Sequence, residues 1–269
     1  MKIALDSLKI IDCHLHTGIQ NVSWRWQEIE ALLRAAGIGG AGVIPPVEDV
    51  YDRLDPSFTD TPAWRAYRRL AHAYLLNLKE SSRTRPGGAA AAEAADHLEI
   101  YPYFFVWNDF AWEDLGPEYV AIKWHRHPGE PRYQYDQPRC REFLQVVRER
   151  RLPILLEESF DNTRFFLERL APDLPVVIPH LGALNGGYHA LRAAGAWDRP
   201  QTYADSSITA LPEIEDFLGR YGSRRLLFGS DYPFGEPATE LAKIRQLNLP
   251  PDQAEAVLGG NFRGLCGLG

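Results

Sequence analysis

The chain has 269 residues, 45% of them hydrophobic, and a formal charge of −7 at pH 7. That composition suits one large core, and a single barrel domain over residues 1–269 accommodates it better than two small domains. Acidic and basic residues are mixed along the chain, so no basic stripe is present to neutralise a phosphate backbone, and nucleic acid is excluded as an expected partner. Cys13, Cys140 and Cys266 are widely spaced and form no C-x-x-C pair, which points away from a disulfide framework or thiolate zinc site and towards a reducing cytoplasm. The N-terminal apolar run is broken by Asp6 and Lys9, and no later stretch reaches the length of a membrane span, so the expectation is a soluble protein without membrane association.

Short runs rich in Val, Ile and aromatics recur along the chain, each followed by a longer segment with helical spacing, the alternation of βα units on a parallel sheet. The predicted strands cover residues 8–13, 40–44, 100–106, 119–124, 153–157, 175–179, 202–205 and 226–230. Eight is the number that closes a barrel with a side-chain-filled interior, so the expected fold is an α/β (β/α)8 TIM barrel, distorted, in one domain. Between these strands, residues 61–79 read as a long helix with Trp64, Tyr67, Ala71, Tyr74, Leu75 and Leu78 on one face, 81–88 as a loop and 89–95 as the next helix start. Residues 164–170 form a predicted helix led in by Asp161-Asn162-Thr163, and another opens at Leu211-Pro212-Glu213 and stops near Gly222.

His14 and His16 are two apart at the end of the first strand, so both imidazoles point to one side at the barrel end where active sites are built. This suits two ligands of one metal, although a pair of hydrogen-bonded barrel histidines fits the same spacing. Asp231 follows the eighth strand and His180 the sixth, which brings an acid and another imidazole to the same mouth. Cys13 alternates away from the two histidines and reads as a packed thiol rather than a nucleophile. Lys123 and His125 share a side of the fourth strand; they either recognise a substrate carboxylate or carbonyl or, in the case of Lys123, form a salt bridge, with a carbamylated lysine as a further possibility. His127 falls in a loop at the pocket rim. Trp107, Asn108 and Asp109 follow the third strand, with Trp24 and Trp26 after the first, in positions where they either line a pocket for a flat substrate or pack loops.

Together, Ile11-Asp12-Cys13-His14-Leu15-His16, Ile122-Lys123-Trp124-His125, Pro179-His180-Leu181-Gly182, Phe228-Gly229-Ser230-Asp231-Tyr232-Pro233 and Leu258-Gly259-Gly260-Asn261-Phe262 span nearly the whole chain. In these motifs the chain resembles the amidohydrolase superfamily, in its amidohydrolase-related branch that includes aminocarboxymuconate semialdehyde decarboxylase. The resemblance implies that His14 and His16 bind one divalent metal, usually zinc, that Asp231 is a ligand or general base, and that His180 orients water or polarises substrate. The branch usually places a metal-binding histidine on the fifth strand, where this chain reads Pro153-Ile154-Leu155-Leu156-Glu157-Glu158. Aligning Pro153 puts Glu157 at the histidine's place, either as a fourth ligand that favours manganese, iron or magnesium beside zinc, or as the partner of Lys123 in a metal-free site. The expected reaction is hydrolysis of an amide, ester or lactone in a small molecule, with Asp231 taking the proton of metal-activated water and His180 polarising the carbonyl. Non-oxidative decarboxylation of an unsaturated or aromatic carboxylate is the alternative within the family, and a catalytically inactive binding barrel the alternative of another class. A homo-oligomer is compatible with either enzyme.

Overall fold

The structure, a computed structural model, describes residues 9–19, 25–84 and 98–268. Its strands are β1 (Ile10–His16), β2 (Ile38–Ile44), β3 (Glu99–Phe105), β4 (Ala121–His125), β5 (Ile154–Glu157), β6 (Val176–Ile178), β7 (Thr202–Asp205) and β8 (Leu226–Leu227). They lie side by side in chain order, each parallel to the next. The seam between last and first is closed by the segment after β8: the Cys13 N–H donates to the Phe228 carbonyl (2.9 Å), the Asp231 N–H to that of His14 (2.6 Å) and the His16 N–H to that of Tyr232 (2.8 Å). The eight-stranded barrel read from the sequence is the fold of the protein. The eighth strand is shorter than expected: it ends at Leu227, and the next N–H, that of Phe228, donates to the Val257 carbonyl at 2.9 Å instead of to a neighbouring strand.

The helices are α1 (Trp26–Ala36), α2 (Pro62–Thr84), α3 (Pro138–Arg150), α4 (Phe160–Phe165), α5 (Tyr188–Ala193), α6 (Leu211–Tyr221), α7 (Pro237–Gln246), α8 (Pro251–Glu255) and α9 (Asn261–Leu265). In α1 the buried Trp26, Ile29, Glu30 and Leu33 recur at helical spacing, and Gly37 at φ 77° ends the helix as its left-handed cap. α2 runs through residues 81–84, which the sequence reading assigned to a loop. The remainder of that loop, the helix start at 89–95 and Trp24 lie outside the described residues. α4 begins at Phe160 and continues as a π-wound turn, Phe166–Leu170, so the helix expected at 164–170 starts earlier than its polar lead-in suggested. No described helix is long and apolar enough to cross a membrane.

One glycine allows the barrel wall to close tightly. A Cβ on Gly42 would stand 2.7 Å from the Cys13 carbonyl oxygen and 3.1 Å from the Tyr103 ring. Its absence lets the Tyr103 hydroxyl reach across β2 and donate to that same carbonyl at 2.8 Å. The Asp12 carboxylate also crosses the seam, accepting from the backbone N–H groups of His14 (3.1 Å) and Ser230 (2.9 Å). These bonds hold the backbone on either side of the seam in register.

Candidate active site

His14, His16 and Asp231 converge at the C-terminal mouth of the barrel. The Nε2 atoms of both histidines lie 3.2 Å from Asp231 Oδ1. Each histidine is aimed from behind: His14 Nδ1 is 2.9 Å from Asp205 Oδ2, and His16 Nδ1 is 3.4 Å from the Pro45 carbonyl oxygen. Neither of these oxygens can donate, so the Nδ1 atoms carry the protons and the Nε2 lone pairs face Asp231. Burial, reinforced by the nearby Lys123 ammonium, pushes the His14 imidazole down and keeps it neutral. Burial favours the neutral acid at Asp231 too, yet the surrounding imidazoles hold its carboxyl below the usual carboxylate range.

A neutral nitrogen lone pair and a carboxylate oxygen at this distance attract one another only through a shared cation or proton. With metal bonds of ~2.0–2.1 Å, ligand atoms at tetrahedral vertices lie about 3.3 Å apart, close to the separation found here. Two imidazoles with their outer nitrogens held by a carboxylate and a carbonyl are also the usual outer-shell arrangement of metal-binding histidines. The three donors therefore fit one divalent ion.

Glu157 does not join them. Lys123, fully buried, stands between: its Nζ is 3.0 Å from Glu157 Oε2 and 3.4 Å from His14 Nε2. A buried ammonium needs a carboxylate partner, and Glu157 supplies it. His125 Nε2 lies 3.3 Å from Glu157 Oε1, and His127 Nε2 is hydrogen-bonded to the same oxygen. Burial works against the charge on Glu157, but Lys123 and His125 hold its carboxyl well below the usual range. Glu158 points the other way, as the strand alternation required, to Tyr135 (2.9 Å) and Arg126 (3.4 Å). Burial pushes His125 down to about 4, and its Nδ1 side is held by the Tyr51 hydroxyl at 3.3 Å.

His180 spans the two clusters, with Nε2 3.8 Å from Glu157 Oε2 and 3.7 Å from Asp231 Oδ2. Burial disfavours its charge, but the hydrogen bond to Glu157 and the negative charge of Glu157, Asp205 and Asp231 push its pKa up to about 9. The chain around it is strained: His180, Leu181 and Gly182 have φ of 55°, 47° and 86°. Two consecutive non-glycine residues in the left-handed region are costly, and such strain collects where a site demands one orientation. Asp205 makes that orientation hold, because its Oδ1 accepts from the His180 N–H (2.9 Å), the Ser207 N–H (3.0 Å) and the Ser207 hydroxyl. The Ser207 hydroxyl proton being committed to Asp205, Ser207 Oγ accepts from His180 Nδ1 at 2.9 Å. Asp205 was missed as a site residue, although it ends a barrel strand in the same way that Asp231 follows one.

A cavity of about 180 Å³ opens above these groups, walled by His16, His125, His127, Glu157 and Asp231 on its polar side. Trp107, expected to line it, does not. It is buried behind Tyr51, ring centroids 3.9 Å apart, because its large apolar surface packs into the aromatic layer under the loops. Trp26 is likewise buried at the start of α1, and Asp109 is paired with Arg68 at 2.6 Å. Lys123 is fully buried in its ion pair and does not line the cavity, while His125 and His127 reach the wall. Cys13 is a packed thiol whose pKa burial drives well above the ordinary value.

The sequence profile of the amidohydrolase family matches residues 11–265. The chain belongs to this family. Membership and the converged site support an enzyme of the amidohydrolase superfamily. No curated protein matches it in sequence. Among solved structures it is similar to 5-carboxyvanillate decarboxylase from Sphingomonas paucimobilis, at 13% identity and a TM-score of 0.72 over 98% of this chain and all of that one. A Pseudomonas putida protein assigned as a 2-pyrone-4,6-dicarboxylic acid hydrolase aligns at 16% identity and a TM-score of 0.66, covering 97% and 98% of the two chains. A dihydroxybenzoic acid decarboxylase from Polaromonas, with manganese bound, aligns at 13% identity and 0.65 over 97% of each. These likenesses share the barrel and divide between hydrolase and decarboxylase.

Proposed function

We propose that the protein is a metal-dependent hydrolase of an amide, ester or lactone bond in a small molecule. The observation that carries this reading is geometric: His14 Nε2 and His16 Nε2 converge on Asp231 Oδ1, while Asp231 Oδ2, the oxygen not shared with them, lies 3.7 Å from His180 Nε2. One divalent ion held by His14, His16 and Asp231 supplies Lewis acidity and a water nucleophile near neutral pH. Two imidazoles and a carboxylate with an open position favour zinc, with manganese, iron or magnesium as other occupants. Asp231 Oδ2 accepts the proton released as water adds to the carbonyl carbon. His180 presents its Nε2–H to the oxygen on which negative charge grows, and Ser207 and Asp205 keep it aimed. The proton then passes from Asp231 to the departing alcohol or amine, so that water and substrate leave as acid and leaving group.

Decarboxylation is the second reading, favoured by the raised pKa of His180, which would let it deliver a proton to carbon once carbon dioxide leaves. Protein stripped with chelator and reloaded with Zn or Mn should release acid from a panel of aryl esters, lactones and anilides, followed at constant pH. Carbon dioxide release from unsaturated or aromatic carboxylates, without ester or amide turnover, would replace hydrolysis by the second reading.

A further inference from the structure

Ile208 follows Ser207, the residue whose hydroxyl holds His180, and it adopts a left-handed φ of 44°. In that region the Cβ of an L-residue crowds a neighbouring carbonyl oxygen, and a branch at Cβ makes the crowding worse, so isoleucine is among the residues least suited to it. Helix α7 imposes the turn. Its Glu240 accepts from the Ile208 N–H at 2.9 Å, its Lys243 donates to the Thr209 carbonyl at 2.8 Å, and the two side chains are themselves an ion pair. Glycine would make the same turn at lower cost and keep each of these backbone contacts. What isoleucine adds is its side chain, and that side chain is 40% exposed on the wall of the active-site cavity. A Cβ on Gly235 would stand 2.9 Å from Ile208 Cγ2, so the glycine leaves room for the isoleucine to pack beside Phe234. Phe234 and Leu184 line the same cavity, and Phe234 stands edge-on to His16, ring centroids 6.3 Å apart. The polar lining is bonded within itself, Arg53 to Glu130 at 2.7 Å and to His127 at 3.1 Å and Glu157 to Lys123 at 3.0 Å, whereas Ile208, Leu184 and Phe234 turn uncovered apolar surface to the cavity.

An apolar side chain held against its own backbone preference, with its surface turned to the cavity of the reacting groups, is placed for what it touches there. We propose that Ile208 is a specificity-determining residue, which with Phe234 and Leu184 receives an apolar substituent of the substrate while the reacting carbonyl lies at Asp231 and His180. The position of the carbonyl rests on the hydrolytic reading. The apolar subsite rests on the strained turn and the cavity lining.

The test uses the metal-loaded protein with benzohydroxamate against acetohydroxamate by calorimetry, and 4-nitrophenyl benzoate against 4-nitrophenyl acetate by kcat/KM. The parent should prefer the phenyl member of each pair by about 10-fold. Ile208→Gly should narrow that preference about fivefold, the loss of roughly 40 Å² of apolar contact, by weakening the phenyl probe and not the methyl one. Its melting temperature should be no lower than the parent's, because release of the strained turn offsets the lost packing. Ile208→Val, which keeps a branched side chain in the same place, should recover most of the preference. A parent that shows no preference, or binds neither hydroxamate, overturns the proposal. Equal weakening of both probes in Ile208→Gly overturns it as well, since the residue would then act through Ser207 and His180. So does a lower melting temperature with the preference unchanged, which would make the side chain structural. Failure of ester turnover with the binding difference intact removes the hydrolytic reading and leaves the apolar subsite standing.

Discussion

Replacing Asp205 by Asn should cripple metal binding while leaving the barrel folded. The carboxylate accepts four hydrogen bonds, from His14 Nδ1 on one oxygen and from the His180 N–H, the Ser207 N–H and the Ser207 hydroxyl on the other. Asparagine has a single acceptor oxygen, and the three donors on the His180 side claim it. The amide NH2 then faces His14 Nδ1 and forces the tautomer whose Nε2 carries a proton, pointing at Asp231 where a lone pair is needed. Loss of an outer-shell partner costs about 10- to 100-fold in metal affinity, or ~1.4–2.7 kcal/mol. Competition with a chromophoric chelator measures that affinity for Zn and Mn, with circular dichroism confirming the fold. Ser207→Ala is the control, since it leaves the contact between His14 and Asp205 intact and should bind metal as the parent does. An Asp205→Asn protein whose affinity stays within threefold of the parent would refute the tautomer argument.

Glu157→Gln strands the Lys123 ammonium in a fully buried position and should destabilise the fold by about 3–5 kcal/mol in thermal or urea unfolding, with metal stoichiometry retained; loss of the metal at unchanged stability would return Glu157 to the ligand set. Trp107→Phe should lower the melting temperature through a cavity behind Tyr51 but leave KM within about twofold, and a large KM change at constant stability would place Trp107 against the substrate. His72, buried in α2 and accepting the Phe105 N–H at 3.0 Å, is pushed down by burial to about 3 from an ordinary value of 6.5. Because its folded pKa lies below the unfolded one, its contribution is complete above the unfolded value and is lost as pH falls towards the folded one. Urea unfolding between pH 7 and 4 should show that slope, and His72→Asn should flatten it; an unchanged slope would mean that His72 does not titrate on unfolding.

The barrel was legible because each strand is a compact apolar run and the strand ends carry the polar residues. His14, His16, His180 and Asp231 could all be picked out by that rule, and the structure brings them to one mouth. Asp205 obeys it equally and was passed over because its strand, Thr202–Asp205, is short and carries no flanking histidine. The role of Glu157 was harder to read. Strand alternation puts Lys123, His125 and Glu157 on the inner side, where a ligand and an ion-pair partner look alike in sequence, and the structure places Glu157 3.0 Å from Lys123. Arg53 and Glu130 left no signal at all, since they meet from loops 77 residues apart. Trp107 shows the limit of reading loop aromatics as pocket walls: the same bulk that suits a flat substrate also fills the layer beneath.

The most direct test is the divalent metal content of the purified protein beside His16→Ala and Asp231→Ala, by mass spectrometric elemental analysis, with thermal shift on adding Zn or Mn. About one ion per chain in the parent, lost in both variants together with ester turnover and the metal-induced rise in melting temperature, is the predicted result. A parent that takes up no stoichiometric ion and gains no stability from either metal, or variants that keep the ion, would contradict a catalytic metal held by His14, His16 and Asp231.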